Sequence, residues 1–134
     1  MFEFGTRSKQ HISEGKPDLQ KWVYRTLELC GVDISAVDCR RTIEEQKENI
    51  EKGVSWTMDS RHLPDPDDNL AYAIDLYPYH EGKTDHSEWL YGKIAKAGFQ
   101  AAVELGIDIR WGGNWKKPDR PHWHLSRLKY PKSS

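Results

Sequence analysis

Cysteine is scarce in this sequence: Cys30 and Cys39 are the only two in 134 residues. Two thiols cannot build a disulfide framework, and neither sits in a Cys-x-x-Cys pair. They fit reduced thiols in a protein made in a cytoplasm. A cysteine-rich zinc finger is excluded, so any metal must rely on histidine and carboxylate. Long apolar runs are also missing. No window approaches the ~20 apolar residues that cross a membrane, so no membrane association is expected. Met1-Phe2-Glu3-Phe4-Gly5 has neither the basic start nor the apolar run of a secretory signal. An excess of one charge is absent too. The formal net charge is −1 with both signs interspersed, and no basic block points to nucleic acid as a partner. Repeats and Ser/Gly-rich linkers are likewise missing.

What remains fits one compact domain spanning 1–134. A chain of this size buries roughly two-thirds of its unfolded surface, so stability needs no disulfide or structural metal. Charged residues make up 31% of the sequence, but six Trp, six Tyr and three Phe supply large apolar side chains for a core. That composition indicates a folded domain rather than disorder.

Residues 1–16 read as an irregular arm. Pro17 suits the first position of a helix, and Leu19, Trp22, Val23, Thr26, Leu27 and Cys30 follow at helical spacing up to Gly31. Val32 to Cys39 reads as a strand with Val32, Ile34, Ala36 and Asp38 on one side. Thr42-Ile43-Glu44-Glu45 is a capping box opening a helix to Lys52. Pro64-Asp65-Pro66-Asp67-Asp68-Asn69 marks a loop, and Ala71 to Tyr77 a strand ending at Pro78. Asp85-His86-Ser87-Glu88 reads as a second capping box, ahead of a long amphipathic helix closed by Gly106. Ile107 to Trp111 and His122 to Leu128 read as strands around a turn at Gly112-Gly113-Asn114. Helices and strands mix without βαβ repetition, which predicts α+β with a small, largely antiparallel sheet.

Asp75 stands out between Ile74 and Leu76. A carboxylate inside a sheet is costly unless it is paired or binds a metal; exposure on an outer face is the other reading. His122 and His124, two apart on a strand, share one face. They can form a two-ligand clip, or one can ligate while the other lines a cleft; a structural or exposed pair is the plainer reading. His62 alone is an ordinary loop histidine. Asp119 is either a turn residue before Pro121 or a proton-transfer group. Arg41, at a strand-to-helix junction, is either solvated or within reach of a site at the sheet edge. His11, His80 and His86 lack ligand spacing and read as surface residues. Trp56, Trp111 and Trp115 read as core or cleft walls. In combination, two imidazoles and one carboxylate are the ligand set of a catalytic zinc with one position open to water.

With these residues in view, the chain resembles the phage endolysin and bacterial L-alanyl-D-glutamate endopeptidases. These are grouped with the VanY-like zinc D,D-carboxypeptidases. The likeness covers nearly the whole chain. It runs through Phe4-Gly5-Thr6-Arg7-Ser8, Pro17-Asp18-Leu19 and Arg41-Thr42-Ile43-Glu44-Glu45-Gln46. It continues in Ser60-Arg61-His62 with Ala73-Ile74-Asp75, then Trp111-Gly112-Gly113-Asn114-Trp115 followed by Asp119 and His122. The separation of His62 from Asp75 is longer than the family usually shows. Ala71 replaces a usual Gly, and Asn114 stands where Asp is common.

The resemblance implies a Hedgehog/D,D-peptidase-like α+β fold and a Zn2+ cofactor held by His62, Asp75 and His122. It implies Asp119 as the acid/base group, Arg41 facing the developing oxyanion, Ser60 contacting substrate, and His124 as a neighbour in the cleft. The implied substrate is the bacterial peptidoglycan stem peptide, cut between L-alanine and D-glutamate by a monomer that waits in the host cytoplasm until release. Two alternatives accompany this reading: a D,D-carboxypeptidase trimming terminal D-alanine, and a catalytically silent wall-binding domain.

Overall fold

The structure is a computed structural model that describes residues 2–55 and 57–132. Among these, the elements run α1 (Thr6–Ser13), α2 (Pro17–Leu29), β1 (Asp33–Asp38), α3 (Ile43–Glu51), β2 (Ala73–His80), β3 (Lys83–Thr84), α4 (Glu88–Leu105), β4 (Ile109–Trp111) and β5 (His122–Leu125). The strands form one antiparallel sheet in the order β1-β2-β5-β4, with β3 closing a hairpin on β2. The α+β class expected from the sequence is the one observed.

One face of the sheet carries the core. Ile34 and Ala36 of β1, Ile74 and Leu76 of β2, Trp123 and Leu125 of β5 and Ile109 of β4 are buried there with Leu19, Trp22, Val23, Leu90, Ile94 and Ala101 of α2 and α4. Trp22 and Trp123 pack with ring centres 4.8 Å apart, and the Trp22 indole N–H donates to the Gly98 carbonyl. Gly98 is required at this crossing, because a Cβ there would lie 2.9 Å from the Trp22 ring.

Five expectations need correction, the simplest being the last strand, which ends at Leu125 and gives way to a turn instead of running to Leu128. The N-terminal segment is not an irregular arm but contains α1, which buries Ser8 and Ile12. Ile12 is the only strongly apolar residue of that helix, too little for a periodic pattern; tertiary contact with β1 supplies the rest. Asp38 does not share a face with Ile34 and Ala36. A bulge between Ala36 and Asp38 sets Asp38 opposite Asp75, turning it to the other side of the sheet.

The box at Asp85 does not cap α4. Ser87 is the capping residue, and its hydroxyl donates to Asp85 instead of accepting from the helix. β2 continues past Pro78 to His80, because Glu81 and Gly82, both at positive φ, form a tight hairpin turn to β3. The capping box at Thr42 is present in full. Trp111 packs against the core; Trp56 lies outside the described residues.

Candidate metal centre

The register of β2 with β5 places Asp75 opposite His122 and Ala73 opposite His124. Opposed residues share a face, so all three side chains project away from the helices while Ile74 and Trp123 enter the core. The sheet therefore delivers a carboxylate and two imidazoles to its uncovered side.

His62 arrives from the loop before β2. The Ser60 hydroxyl accepts the His62 backbone N–H at 3.1 Å, and the His62 carbonyl accepts from Arg41 N–H at 2.9 Å. Beneath them Arg61 is buried, its guanidinium 3.8 Å from the centre of the Tyr72 ring. It donates to the carbonyls of Leu125, Ser126 and Tyr130 at 2.9, 3.2 and 2.7 Å. Arg61 thus ties the His62 loop to the segment that follows β5.

The longer stretch between His62 and β2 is a pinned turn. Asp65, buried, accepts from Lys16 Nζ at 2.9 Å and from the Tyr72 hydroxyl at 2.5 Å. Asn69 turns the chain at φ 59°, and the strand then returns Asp75 to the site.

Three donor atoms converge. His62 Nε2 lies 3.3 Å from Asp75 Oδ1 and 3.2 Å from His122 Nδ1, which is 3.6 Å from the same carboxylate oxygen. Donors at the usual zinc distances in a tetrahedral shell are separated by about 3.3–3.6 Å, so the spacing fits a small cation. Asp75 Oδ1 is also buried without a hydrogen-bond partner. Such an orphan oxygen is costly unless a cation satisfies it. The donor set of two imidazoles and one carboxylate suits zinc and related divalent metals.

The electrostatics agree. Burial alone would raise the Asp75 pKa, but the His62 charge and close contact with His122 and His62 hold the carboxyl well below its ordinary range. Burial, the largest single influence, opposes protonation of His62, but the Asp75 charge and close contact together outweigh it and raise the His62 pKa. His62 Nδ1 lies 2.7 Å from the Cys39 carbonyl. That oxygen can only accept, so Nδ1 carries the hydrogen and Nε2 is free for a cation. His124 is drawn down to about 3, by burial first and the His122 charge second, and is therefore a neutral imidazole.

Asp119 reaches the same cleft from the loop after β4, where Gly112–Asn114 makes a 3-10 turn. Asp119 N–H donates to Gly112 O at 2.9 Å, and His122 N–H to Asp119 O at 3.2 Å. A Cβ on Gly112 would lie 2.4 Å from the Asp119 carbonyl oxygen and 3.0 Å from His122 Cβ, so only glycine admits this approach. Loss of water around the Asp119 carboxyl, then the Asp75 charge, raises its pKa.

Arg41 is steered by Asp38, whose carboxylate accepts at 2.6 Å, and by Gln46 Oε1 at 2.7 Å. The bulge in β1 is what brings Asp38 to this face.

All six residues singled out in the sequence (Arg41, Ser60, His62, Asp75, Asp119 and His122) line one open cleft of about 770 Å³. His11, His80 and His86 do not line it. Sequence reasoning missed Arg61 as a buried strut, Arg127 on the wall and the Cys39 carbonyl behind His62. A backbone acceptor leaves no trace in residue identity, and an arginine beside a candidate ligand reads as solvated. Trp115, read as core or wall, is a wall, with its ring 4.9 Å from His122 and 6.1 Å from His124.

Fold and cleft together define an α+β protein with a two-histidine, one-carboxylate cluster on the open face of its sheet. The sequence matches the family model for phage L-alanyl-D-glutamate peptidases over residues 1–130. The chain belongs to that family. It is 35% identical over 133 residues to the L-alanyl-D-glutamate peptidase of Escherichia phage T5, covering 96% of this chain and 93% of the relative. Its structure resembles that of the L-Ala D-Glu endopeptidase ChiX of Serratia marcescens, with a TM-score of 0.87 and 31% identity. That match covers 98% of this chain and 94% of the other. Among the described residues no helix is long and apolar enough to cross a membrane.

Proposed function

We propose that the chain is a zinc-dependent peptidoglycan peptidase that hydrolyses the amide between L-alanine and D-glutamate of the stem peptide. The observation that carries the metal part is the convergence of His62 Nε2, Asp75 Oδ1 and His122 Nδ1, the Asp75 oxygen being buried without a hydrogen-bond partner. Family membership carries the substrate part.

Zinc held by His62, Asp75 and His122 would supply a Lewis acid and make water acidic enough to react near neutrality. The protein's own groups do the rest. Asp119, with its pKa raised, accepts a proton from the attacking water and returns it to the departing amine nitrogen. Arg41, held by Asp38 and Gln46, stabilises negative charge on the amide oxygen. Ser60, on the cleft wall, meets the substrate backbone while its oxygen supports the His62 amide. Trp115 forms an apolar wall beside His122. The enzyme works as a single catalytic domain over 1–134, as a monomer, and acts on the wall after release from the host cytoplasm.

Mass spectrometry of products from intact muropeptides tests the bond. Release of the peptide beyond L-alanine supports the proposal, whereas loss of one terminal alanine makes the protein a D,D-carboxypeptidase. Wall binding without new amino groups makes it a silent binding domain.

A further inference from the structure

His62 and His122 enter the cluster through different ring nitrogens, and their outer nitrogens meet different partners. Behind His62 stands the Cys39 carbonyl, an acceptor that leaves no choice of tautomer. Behind His122 stands another imidazole: His122 Nε2 lies 2.8 Å from His124 Nδ1. Among the described residues no other hydrogen-bond partner of His122 Nε2 is seen.

We infer that His124 is a positioning residue that accepts the Nε2–H of His122 and so keeps the His122 Nδ1 lone pair turned to the metal. The inference rests on reading the His62, Asp75 and His122 cluster as a metal site. Proton counting carries it. A neutral imidazole has one N–H, and the nitrogen that faces a cation must be bare. With Nδ1 of His122 facing Asp75 and His62, its hydrogen sits on Nε2 and points at His124. His124 must then present a bare Nδ1 and hold its own hydrogen on Nε2.

The surroundings preserve this arrangement. His124 stands opposite Ala73 in the sheet, where a methyl leaves room for the ring. Trp115 covers both imidazoles. The shared face of β5 sets the two residues side by side at a strand's repeat of two. Partners of this kind, set behind a ligand, commonly contribute 10- to 100-fold to metal affinity.

The test titrates Zn2+ alone against a competing chelator in the wild type, His124→Leu and His124→Gln. Leu removes the acceptor, and Gln restores one through its side-chain carbonyl. The expected result is a 10- to 100-fold loss of Zn2+ affinity in His124→Leu and recovery of most of it in His124→Gln. Equal affinity in wild type and His124→Leu overturns the inference alone. No Zn2+ binding by the wild type overturns the metal reading and this inference with it.

The ring ¹⁵N spectrum of the Zn2+-loaded wild type gives a second test that needs no variant. The expected pattern has hydrogens on Nε2 of both His122 and His124. A hydrogen on His124 Nδ1 overturns the inference.

Discussion

His62 and His122 turn unlike nitrogens toward Asp75, Nε2 at 3.3 Å and Nδ1 at 3.6 Å. The difference follows from where each ring is rooted. His62 reaches over from a loop and extends its far nitrogen, whereas His122 stands directly opposite Asp75 in the sheet and offers its near one. Two strands and one loop thereby bring three donor atoms together at the cleft.

Asp75 carries the charge of that cluster. Asp75→Ala is expected to lose Zn2+ and hydrolytic activity together while the fold survives, because the side chain faces the open side of the sheet. Metal analysis and circular dichroism of the same preparation check this. A variant that retains bound metal would contradict it.

In the proposed mechanism Asp119 acts on protons rather than on the metal. Asp119→Asn is expected to keep one Zn2+ per chain and lose about 10²- to 10⁴-fold in kcat, with KM little changed. Steady-state kinetics on a purified muropeptide decide, and normal turnover would remove Asp119 from the mechanism.

Gly112 sets the approach of the Asp119 loop. Gly112→Ala puts a methyl 2.4 Å from a backbone oxygen, so the loop must move. The expected cost is about 1–3 kcal/mol of stability and roughly 10²-fold in activity from displaced groups. Thermal unfolding and kinetics measure the two effects. A fully active, equally stable variant would show that the close approach is not required.

Arg61 is the strut beneath His62. Arg61→Leu leaves three carbonyls without their charged donor and is expected to destabilise the fold by about 3 kcal/mol, lowering Tm by roughly 4 °C for each kcal/mol. Calorimetry reads this directly, and an unchanged Tm would remove Arg61 as a support.

The cluster also predicts a pH dependence. The Asp75 pKa is lowered, so its contribution to metal-free stability is present above the unfolded carboxylate value of about 4 and lost as pH falls through the folded value. The His62 pKa is raised, so its contribution is full below about 6.5 and lost as pH rises through the folded value. The pair therefore supports the metal-free protein most between about pH 4 and 6.5. Zn2+ must displace the His62 proton, so its affinity climbs with pH. The Tm gain on adding Zn2+ should grow from about pH 5.5 to 7.5; a gain that is constant or larger in acid would contradict the assignment.

Much of this was legible in the residues, and the reasons differ by element. α2 and α4 announce themselves because many apolar positions repeat at helical spacing against one sheet face. α1 does not, since Ile12 is its only strongly apolar residue. The site residues are visible as an ordered set of motifs, but their meeting depends on strand register, which spacing along the chain does not encode. The bulge before Asp38 shows this. One extra residue moves a carboxylate across the sheet and gives Arg41 its partner.

The most direct measurement strips the purified protein of metal with a chelator, then adds Zn2+ back while following release of the amino group of D-glutamate from cell walls. The expected result is loss of hydrolysis on stripping and full recovery at one Zn2+ per chain, with no recovery in His62→Ala. Undiminished hydrolysis by protein free of every transition metal would contradict the account at its centre.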